Sequence, residues 1–204
     1  MISSKHPNHF LYDNLVELYI IYKDTKIIII DSDSDTFDTY TKIKESFPDI
    51  EINFSKNKNY VYGAWKIGYT LYPDYDAYMC IHDSMTVKNK INLEIIDSKH
   101  VYTFYNKSGF YLDYQCRDIA IQLMDNTGLH YHDLLYLDFN LATHCSFIIA
   151  NARLNHMYSV LINPPVNKLE CRAYERIFGI YFIIHDIHMI DISDSIIKNI
   201  GWRK

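Results

Sequence analysis

The sequence is poor in glycine and proline, and its cysteines are scattered. Six glycines and five prolines occur in 204 residues, and no Gly-, Ser- or Pro-rich linker divides them, so we expect a single domain over 1–204. The four cysteines are too far apart for a CxxC pair or a zinc knuckle, which predicts reduced, mostly buried thiols and no disulfide framework. They are Cys80, Cys116, Cys145 and Cys171.

Positive charge and long apolar runs are also scarce. The chain has 20 lysines and arginines against 25 aspartates and glutamates, a net charge of −5, and no basic block. This balance does not favour nucleic acid or anionic lipid as a partner. No run approaches the roughly 20 apolar residues that cross a bilayer, and the N-terminus lacks the pattern of a secretory signal peptide. We therefore expect a cytoplasmic protein without a membrane span or a nucleic-acid partner.

What the sequence does contain is an alternation of helical and strand patterns. Apolar residues at helical spacing predict helices over 10–22, 36–46 and 59–71, and β-branched or alternating runs predict strands over 26–30, 50–54 and 77–81. Further along, the patterns predict strands near 101–105 and 145–149 and helices near 113–124, 151–161 and 168–184. This order predicts an α/β fold with a mixed, mainly parallel sheet flanked by helices, in which ligands bind beyond the carboxyl ends of the strands.

The first polar motif at a strand end is the acidic turn Asp31-Ser32-Asp33-Ser34-Asp35-Thr36. Its carboxylates could accept hydrogen bonds from a nucleobase or a ribose, or help to hold a divalent cation. The alternative is that Asp35 or Thr36 caps the following helix and that the other residues are solvated turn residues.

The second motif is the triplet His82-Asp83-Ser84, which follows the apolar strand 77–81. A strand that delivers a carboxylate to the edge of a sheet provides a ligand for Mg²⁺ or Mn²⁺, and imidazole suits Mn²⁺ better than Mg²⁺. The triplet is thus a candidate site for a divalent cation.

The order of these motifs resembles the GT-A glycosyltransferases, in particular the large inverting family that includes many polysaccharide synthases. In that family a DDGSTD-like turn, an N-x-G-x-x-x-A-x-N-x-G segment and a DXD triplet follow one another along the chain. Residues 31–36 are similar to the turn, residues 64–68 (AWKIG) to the A-x-N-x-G piece, and residues 82–84 to the triplet. The glycine of the turn is absent, and Tyr60 stands at the first glycine of the middle segment.

The resemblance covers about residues 1–90 and implies a Rossmann-like GT-A fold, with a nucleotide-sugar half over 1–90 and an acceptor half over 91–204. It implies transfer of a sugar, with inversion, from a UDP- or GDP-linked donor to a carbohydrate or other hydroxyl acceptor. Asp31, Ser32 and Asp33 would approach the base and the ribose. His82 and Asp83 would approach the diphosphate through Mn²⁺ or Mg²⁺. The remaining implied donor contacts are Lys66 and Ser84, and for Lys66 the alternative is an exposed helix lysine.

An inverting transferase also needs a carboxylate that deprotonates the acceptor hydroxyl. In the family this residue lies near the start of a helix in the second half of the domain. That position indicates Glu170 or Glu175, with Asp138 as a third candidate. The alternative for the two glutamates is pairing with nearby arginines on an exposed helix face.

The residues leave two other functions open. A phosphatase or phosphotransferase would use Asp31 and Asp33 as a DxD site with Mg²⁺, and a catalytically inactive GT-A-like module would only bind its ligand. The scattered histidines, His144 among them, form no compact metal signature and are expected to be core or surface residues. The abundance of isoleucine and tyrosine is typical of A/T-rich genomes, such as those of some large DNA viruses.

Overall fold

The structure is a computed structural model that describes residues 1–91, 96–103 and 113–198. Its strands are β1 (Ile2–Ser4), β2 (Ile28–Ser32), β3 (Glu51–Ser55), β4 (Ala77–His82), β5 (Met85–Val87), β6 (His100–Thr103), β7 (Phe147–Ala150), β8 (His188–Asp191) and β9 (Ile196–Lys198). Its helices are α1 (His9–Ile21), α2 (Asp38–Ser46), α3 (Tyr60–Leu71), α4 (Tyr114–Met124), α5 (Asn151–Val160) and α6 (Lys168–Ile184).

Seven of the described strands form one sheet in the order β3-β2-β1-β4-β7-β6-β8. β1 pairs in parallel with β2 and β4, β2 with β3, and β6 with β8, whereas β7 runs antiparallel to both of its neighbours. β5 and β9 form a separate antiparallel pair. The predicted mixed, mainly parallel sheet is therefore confirmed, and both predicted halves of the chain contribute strands to it.

Apolar layers cover both faces of the sheet. In β2, Ile28 and Ile30 pack with residues of α3, α4, α5 and α6, while Ile29 between them packs on the opposite face with α1 and α2. This alternation is the two-residue period of a strand, and burial on both faces explains why the run is apolar throughout. The pair β5 and β9 also packs on the α1 and α2 face. Three of the four cysteines are buried, and all four are free thiols, as predicted.

The acidic turn begins inside the sheet, which the sequence did not predict. β2 starts and ends two residues later than expected, because Asp31 pairs with Ser4 of β1 and with Phe54 of β3. The expected helix 36–46 accordingly begins at Asp38. Its N-cap is Phe37, without a side-chain cap bond. The alternative in which Asp35 or Thr36 caps this helix is therefore wrong.

The short strands β5, β8 and β9 were not predicted, because three or four residues carry too little periodicity to be recognised. The antiparallel direction of β7 has no local signal either, since it depends on how the preceding connection returns to the sheet. Residues 104–105 of the strand expected near 101–105 lie outside the described residues.

The longest described helix, α6, has 17 residues, fewer than the roughly 20 that span the hydrocarbon core of a bilayer. In the part of the chain that the structure describes, none of the helices combines the length and the apolar character that crossing a membrane requires.

Candidate functional site

A cleft opens at the carboxyl ends of β1, β2 and β4. The sheet continues from β1 to β2 on one side and to β4 on the other, so the strand order reverses here, and such a reversal leaves a crevice in which α/β proteins bind ligands. The cleft has a volume of about 500 Å³, within the usual range of small-molecule sites. The charged and imidazole side chains on its wall are Lys5, Asp33, Lys58, His82 and Asp83.

Asp83 is a buried carboxylate on this wall, with 7% of its surface exposed. Its Oδ2 accepts a hydrogen bond from the Ser4 hydroxyl at 3.0 Å and one from the Lys5 N–H at 3.4 Å. Its own N–H donates to the carbonyl oxygen of Ser3 at 3.0 Å. These bonds tie the end of β4 to the end of β1 and fix the carboxylate where it can meet a cation or the hydroxyl groups of a ligand.

Asp31, at the end of β2, is 2% exposed and does not line the cleft. Its Oδ1 accepts hydrogen bonds from the Tyr40 hydroxyl at 2.5 Å and from the Ser34 hydroxyl, and its Oδ2 accepts one from the Ser34 N–H at 3.0 Å. Burial, and after it the hydrogen bond to Asp31, raises the pKa of Tyr40 above its ordinary value, so the phenol stays protonated and donates. The geometry gives Asp31 a role in holding the acidic turn together.

Ser32 and Asp33, two of the residues predicted to contact the nucleotide-sugar, line the cleft. Asp33 is exposed and has a φ of +67°, in the left-handed region. Aspartate tolerates this conformation better than most residues, because its short polar side chain bonds locally. The N–H of Asp33 donates to the carbonyl oxygen of Ser55 at 3.1 Å, which holds the turn against β3. The carboxylate of Asp33 is therefore available at the mouth of the cleft.

The segment between β3 and α3 forms another wall of the cleft. Asn57 bridges it: its Nδ2 donates to the Ser32 hydroxyl at 3.0 Å and to the Tyr60 carbonyl oxygen at 2.6 Å. Its Oδ1 accepts from the N–H of Asn59 at 2.9 Å. A Cβ at position 63 would collide with this oxygen, so Gly63 leaves the room that the Asn57 side chain needs. The asparagine thereby joins the end of β2 to the start of α3.

The other residues predicted to contact the nucleotide-sugar are His82, Ser84 and Lys66, and they occupy three different positions. His82 lines the cleft, and its Nε2 donates to the carbonyl oxygen of His144 at 2.6 Å, because a carbonyl can only accept. Ser84 lies in the turn between β4 and β5 and is not part of the cleft wall. Lys66 is exposed on α3 and lines a neighbouring groove instead of the cleft, which agrees with its interpretation as an exposed helix lysine.

The fit of a divalent cation depends on Asp83. Within residues 1–91, 96–103 and 113–198, no group of three His, Cys, Asp or Glu side chains is placed to hold a metal ion. Nε2 of His82 is committed as a donor, so this nitrogen is not a metal ligand. Asp83 does fit the pattern in which Mg²⁺ binds through one or two carboxylates together with water and substrate phosphates. A cation at this position would be shared with the ligand and not enclosed by the protein.

Of the three predicted bases, Glu175 is linked to the cleft through His144 and His82. Its side chain is 22% exposed, and its Oε1 lies 3.9 Å from Nδ1 of His144, whose carbonyl oxygen accepts from His82. His144 and Cys145 are two consecutive left-handed residues, with φ of +56° and +53°. The indole N–H of Trp65 donates to the carbonyl oxygen of Cys145 at 3.0 Å. The turn beside Glu175 is thus held from both α3 and β4.

Glu170 and Asp138 have other surroundings. The carboxylate of Glu170 accepts from the Val166 N–H at 2.7 Å and from the side-chain amide of Asn167 at 2.6 Å. Asn167 in turn accepts from the N–H groups of Leu169 and Glu170, so this cluster caps the N-terminus of α6. Asp138 is exposed in the connection that precedes β7. None of the three carboxylates lines the cleft, but Val166, whose N–H donates to Glu170, does.

No protein-family model matches the chain, and no curated protein matches it in a sequence search. The function is therefore inferred from the residues and the geometry of the cleft.

Sequence reasoning missed several residues at the site, among them Ser4, Asn57, His144 and the cleft lysines Lys5 and Lys58. Ser4 ends β1 and Asn57 follows β3, so a search for polar residues at every strand end, including the very short first strand, would have found both. His144 has no comparable signal, because only tertiary packing brings its turn between β4 and α6.

Proposed function

We propose that this protein is a glycosyltransferase that moves a sugar from a nucleotide-sugar to a hydroxyl acceptor. The observation that carries the proposal is the placement of two acidic side chains on one cleft. Asp33 from the β2 end and Asp83 from the β4 end both line the crevice where the strand order reverses. Lys5 and Lys58 line the same cleft, so hydrogen-bond acceptors for a nucleoside and cations for phosphates are both available.

The order of elements supports the resemblance to the GT-A family. A strand, a helix and a second strand precede the acidic turn, and a helix, a strand, a helix and a fourth strand precede the triplet that contains Asp83. Two backbone details point the same way. Asp33 and Tyr60 stand where the family carries glycines, and both have positive φ angles, +67° and +50°. The chain thus keeps the backbone conformation that glycine favours, although it lacks the glycines.

In the proposed reaction, Ser32 and Asp33 bind the nucleoside, and Asp83 binds the diphosphate directly or through a shared cation. A bound Mn²⁺ or Mg²⁺ would neutralise charge on the diphosphate as it leaves. The acceptor oxygen bonds to the anomeric carbon from the face opposite the diphosphate, and the bond from that carbon to the phosphate oxygen breaks. Glu175, with His144 beside it, takes the proton of the acceptor hydroxyl. The products are a glycoside of inverted configuration and a nucleoside diphosphate.

The geometry favours this proposal over a DxD phosphatase. Such an enzyme needs a nucleophilic aspartate that reaches its substrate. Asp31, the first carboxylate of that motif, is enclosed by Tyr40 and Ser34 and does not line the cleft. We therefore expect no turnover of p-nitrophenyl phosphate.

The proposal is tested by calorimetric titration with UDP, GDP and their sugar conjugates, in Mn²⁺ and in EDTA. The wild type is expected to bind at least one of them, and Asp83→Ala is expected to weaken that binding at least about tenfold, through the loss of a charge-assisted contact. Asp24→Ala is the matched control, since Asp24 is an exposed aspartate before β2, at the opposite end of the strand. A wild type that binds none of these ligands would overturn the proposal. Binding without any release of nucleoside diphosphate would favour the alternative of a catalytically inactive binding module.

A further inference from the structure

Tyr60 combines a left-handed backbone with an exposed aromatic ring on the cleft. Its φ is +50°, a conformation that is an outlier for a bulky residue and costs conformational energy. The residue lines the cleft and is 39% exposed. Glycine would adopt this backbone conformation without strain, so the presence of tyrosine calls for a physical reason.

The neighbouring residues impose the conformation. Asn57 holds the carbonyl oxygen of Tyr60 at 2.6 Å and ties it to the Ser32 hydroxyl at the end of β2. The side chain of Asn57 fits because Gly63 has no Cβ. Strained backbone persists where its surroundings determine it in this way, and such positions cluster at ligand sites.

Hydrogen bonds and aromatic contacts within the described part of the protein do not explain the tyrosine. Among the residues that the structure describes, the Tyr60 hydroxyl has no hydrogen-bond partner, and the ring contacts no other aromatic ring. Part of the side chain packs against the folded chain, since the residue is 39% exposed, but no hydrogen bond or aromatic contact with the described residues engages it there. A ligand in the cleft is the remaining partner for the ring.

We propose that the ring of Tyr60 is the stacking platform for the nucleobase. This inference rests on the proposed function, which places the nucleoside at Ser32 and Asp33. Asn57 connects the backbone of Tyr60 to Ser32, so the ring and the nucleoside contacts share one wall of the cleft. Aromatic side chains stack on the faces of bases, and the interaction tolerates different bases because each has a π face. In this proposal the strained backbone lowers stability, and the ring raises the affinity for the nucleotide.

Three variants at this position separate the ring from the backbone. Tyr60→Gly removes the ring and the strain, Tyr60→Ala removes the ring and keeps the strain, and Tyr60→Phe keeps the ring. We expect the Gly and Ala variants to bind UDP and GDP about tenfold or more weakly, as measured by calorimetry. The Phe variant should bind within about twofold of wild type, since the hydroxyl has no role in stacking. The Gly and Ala variants both lose the ring, so the melting temperature of Tyr60→Gly should exceed that of Tyr60→Ala by about 2–4 °C, because glycine relieves the backbone strain.

Tyr136→Ala is the matched control, because Tyr136 is 66% exposed and lies outside the cleft. It should bind both nucleotides as tightly as wild type. If wild type binds UDP or GDP and the Gly and Ala variants bind equally well, the stacking inference is wrong and the proposed function stands. A loss of affinity in Tyr60→Phe that equals the loss in Tyr60→Ala would also overturn stacking. If wild type binds neither nucleotide nor their sugar conjugates, both proposals fall together.

Discussion

Two aspartates, at the ends of the two strands that flank β1, have opposite surroundings. Asp31 and Asp83 are almost equally buried, with 2% and 7% of their surface exposed. Asp31 accepts hydrogen bonds from Tyr40 and Ser34 and does not line the cleft, whereas Asp83 accepts from Ser4 and Lys5 and does line it. Burial alone therefore does not distinguish a carboxylate enclosed within the fold from one that lines the cleft.

The face of the sheet explains the difference. The side chain of Asp31 follows Ile29 by two residues, so it lies on the face that α2 covers, and Tyr40 of that helix closes over it. Asp83 comes one residue after the last residue of β4, where the chain has left the ladder and turns beside β1. The structure gives Asp31 a role in the fold, whereas the proposed function gives ligand binding to Asp83 and proton transfer to a third carboxylate, Glu175.

The largest expected effect tests whether that third carboxylate is needed. Glu175→Gln should lower the release of nucleoside diphosphate from the bound donor by about 10²–10⁴-fold, the usual contribution of a general base. Donor affinity should be unchanged, because Glu175 does not line the cleft. Glu170→Gln, on the same helix, should keep its rate and lose only stability, since Glu170 caps α6. Equal rates for Glu175→Gln and wild type would show that Glu175 is not the general base.

The next prediction concerns folding. Asp31→Ala should lower the free energy of unfolding by about 2–4 kcal/mol, because the buried donors of Tyr40 and Ser34 lose a charged acceptor. Urea denaturation measures this loss. Asp35→Ala provides the control, as Asp35 is exposed in the same turn and should change stability by less than about 0.5 kcal/mol. Similar losses for the two variants would remove the distinction between Asp31 and its neighbours.

The third prediction concerns Asp83, for which we expect a loss of affinity with little loss of stability. Asp83→Asn keeps an oxygen for the donors of Ser4 and Lys5, so its unfolding free energy should change by less than about 1 kcal/mol. Its affinity for the nucleotide-sugar should fall about tenfold in Mn²⁺, because the charge that attracts a cation is lost. In EDTA the difference between variant and wild type should shrink. If Asp83→Asn is strongly destabilised and binds the nucleotide-sugar as tightly as wild type, Asp83 has a structural role like that of Asp31.

The smallest expected effect is a pH dependence of the unfolding free energy that arises from Tyr40, the hydrogen-bond partner of Asp31. The pKa of Tyr40 is raised by burial and then by Asp31, so its contribution to stability is present below the unfolded pKa of about 10 and is lost as the pH rises beyond it. Tyr40→Phe lacks this proton. Between pH 10 and 11 its unfolding free energy should therefore fall less steeply than that of wild type, by up to about 1.4 kcal/mol per pH unit. Urea titrations over pH 8–11 compare the two slopes, and identical slopes would contradict the assignment.

Much of the fold could be predicted from local patterns. The isoleucine run of β2 and the helical spacing of α1, α3 and α6 placed those elements within about two residues. The strand ends then indicated Asp33 and Asp83 as cleft residues, because parallel strands present their carboxyl ends at one edge. The same reasoning did not separate Asp31 from Asp33, since both sit at one strand end and differ only in what packs above them.

The sequence by itself determined the alternation of helices and strands and the acidic residues at the ends of β2 and β4, because periodicity and strand ends are local properties. Tertiary structure alone decided which of those carboxylates lines the cleft, which glutamate lies near His144, and that Tyr60 has a left-handed backbone. The cleft contacts join separate elements of the fold: Ser4 of β1 bonds Asp83 after β4, and Asn57 bonds Ser32 of β2, while Tyr40 of α2 bonds Asp31. Hydrogen bonds of this kind form only after the sheet has brought its strand ends together.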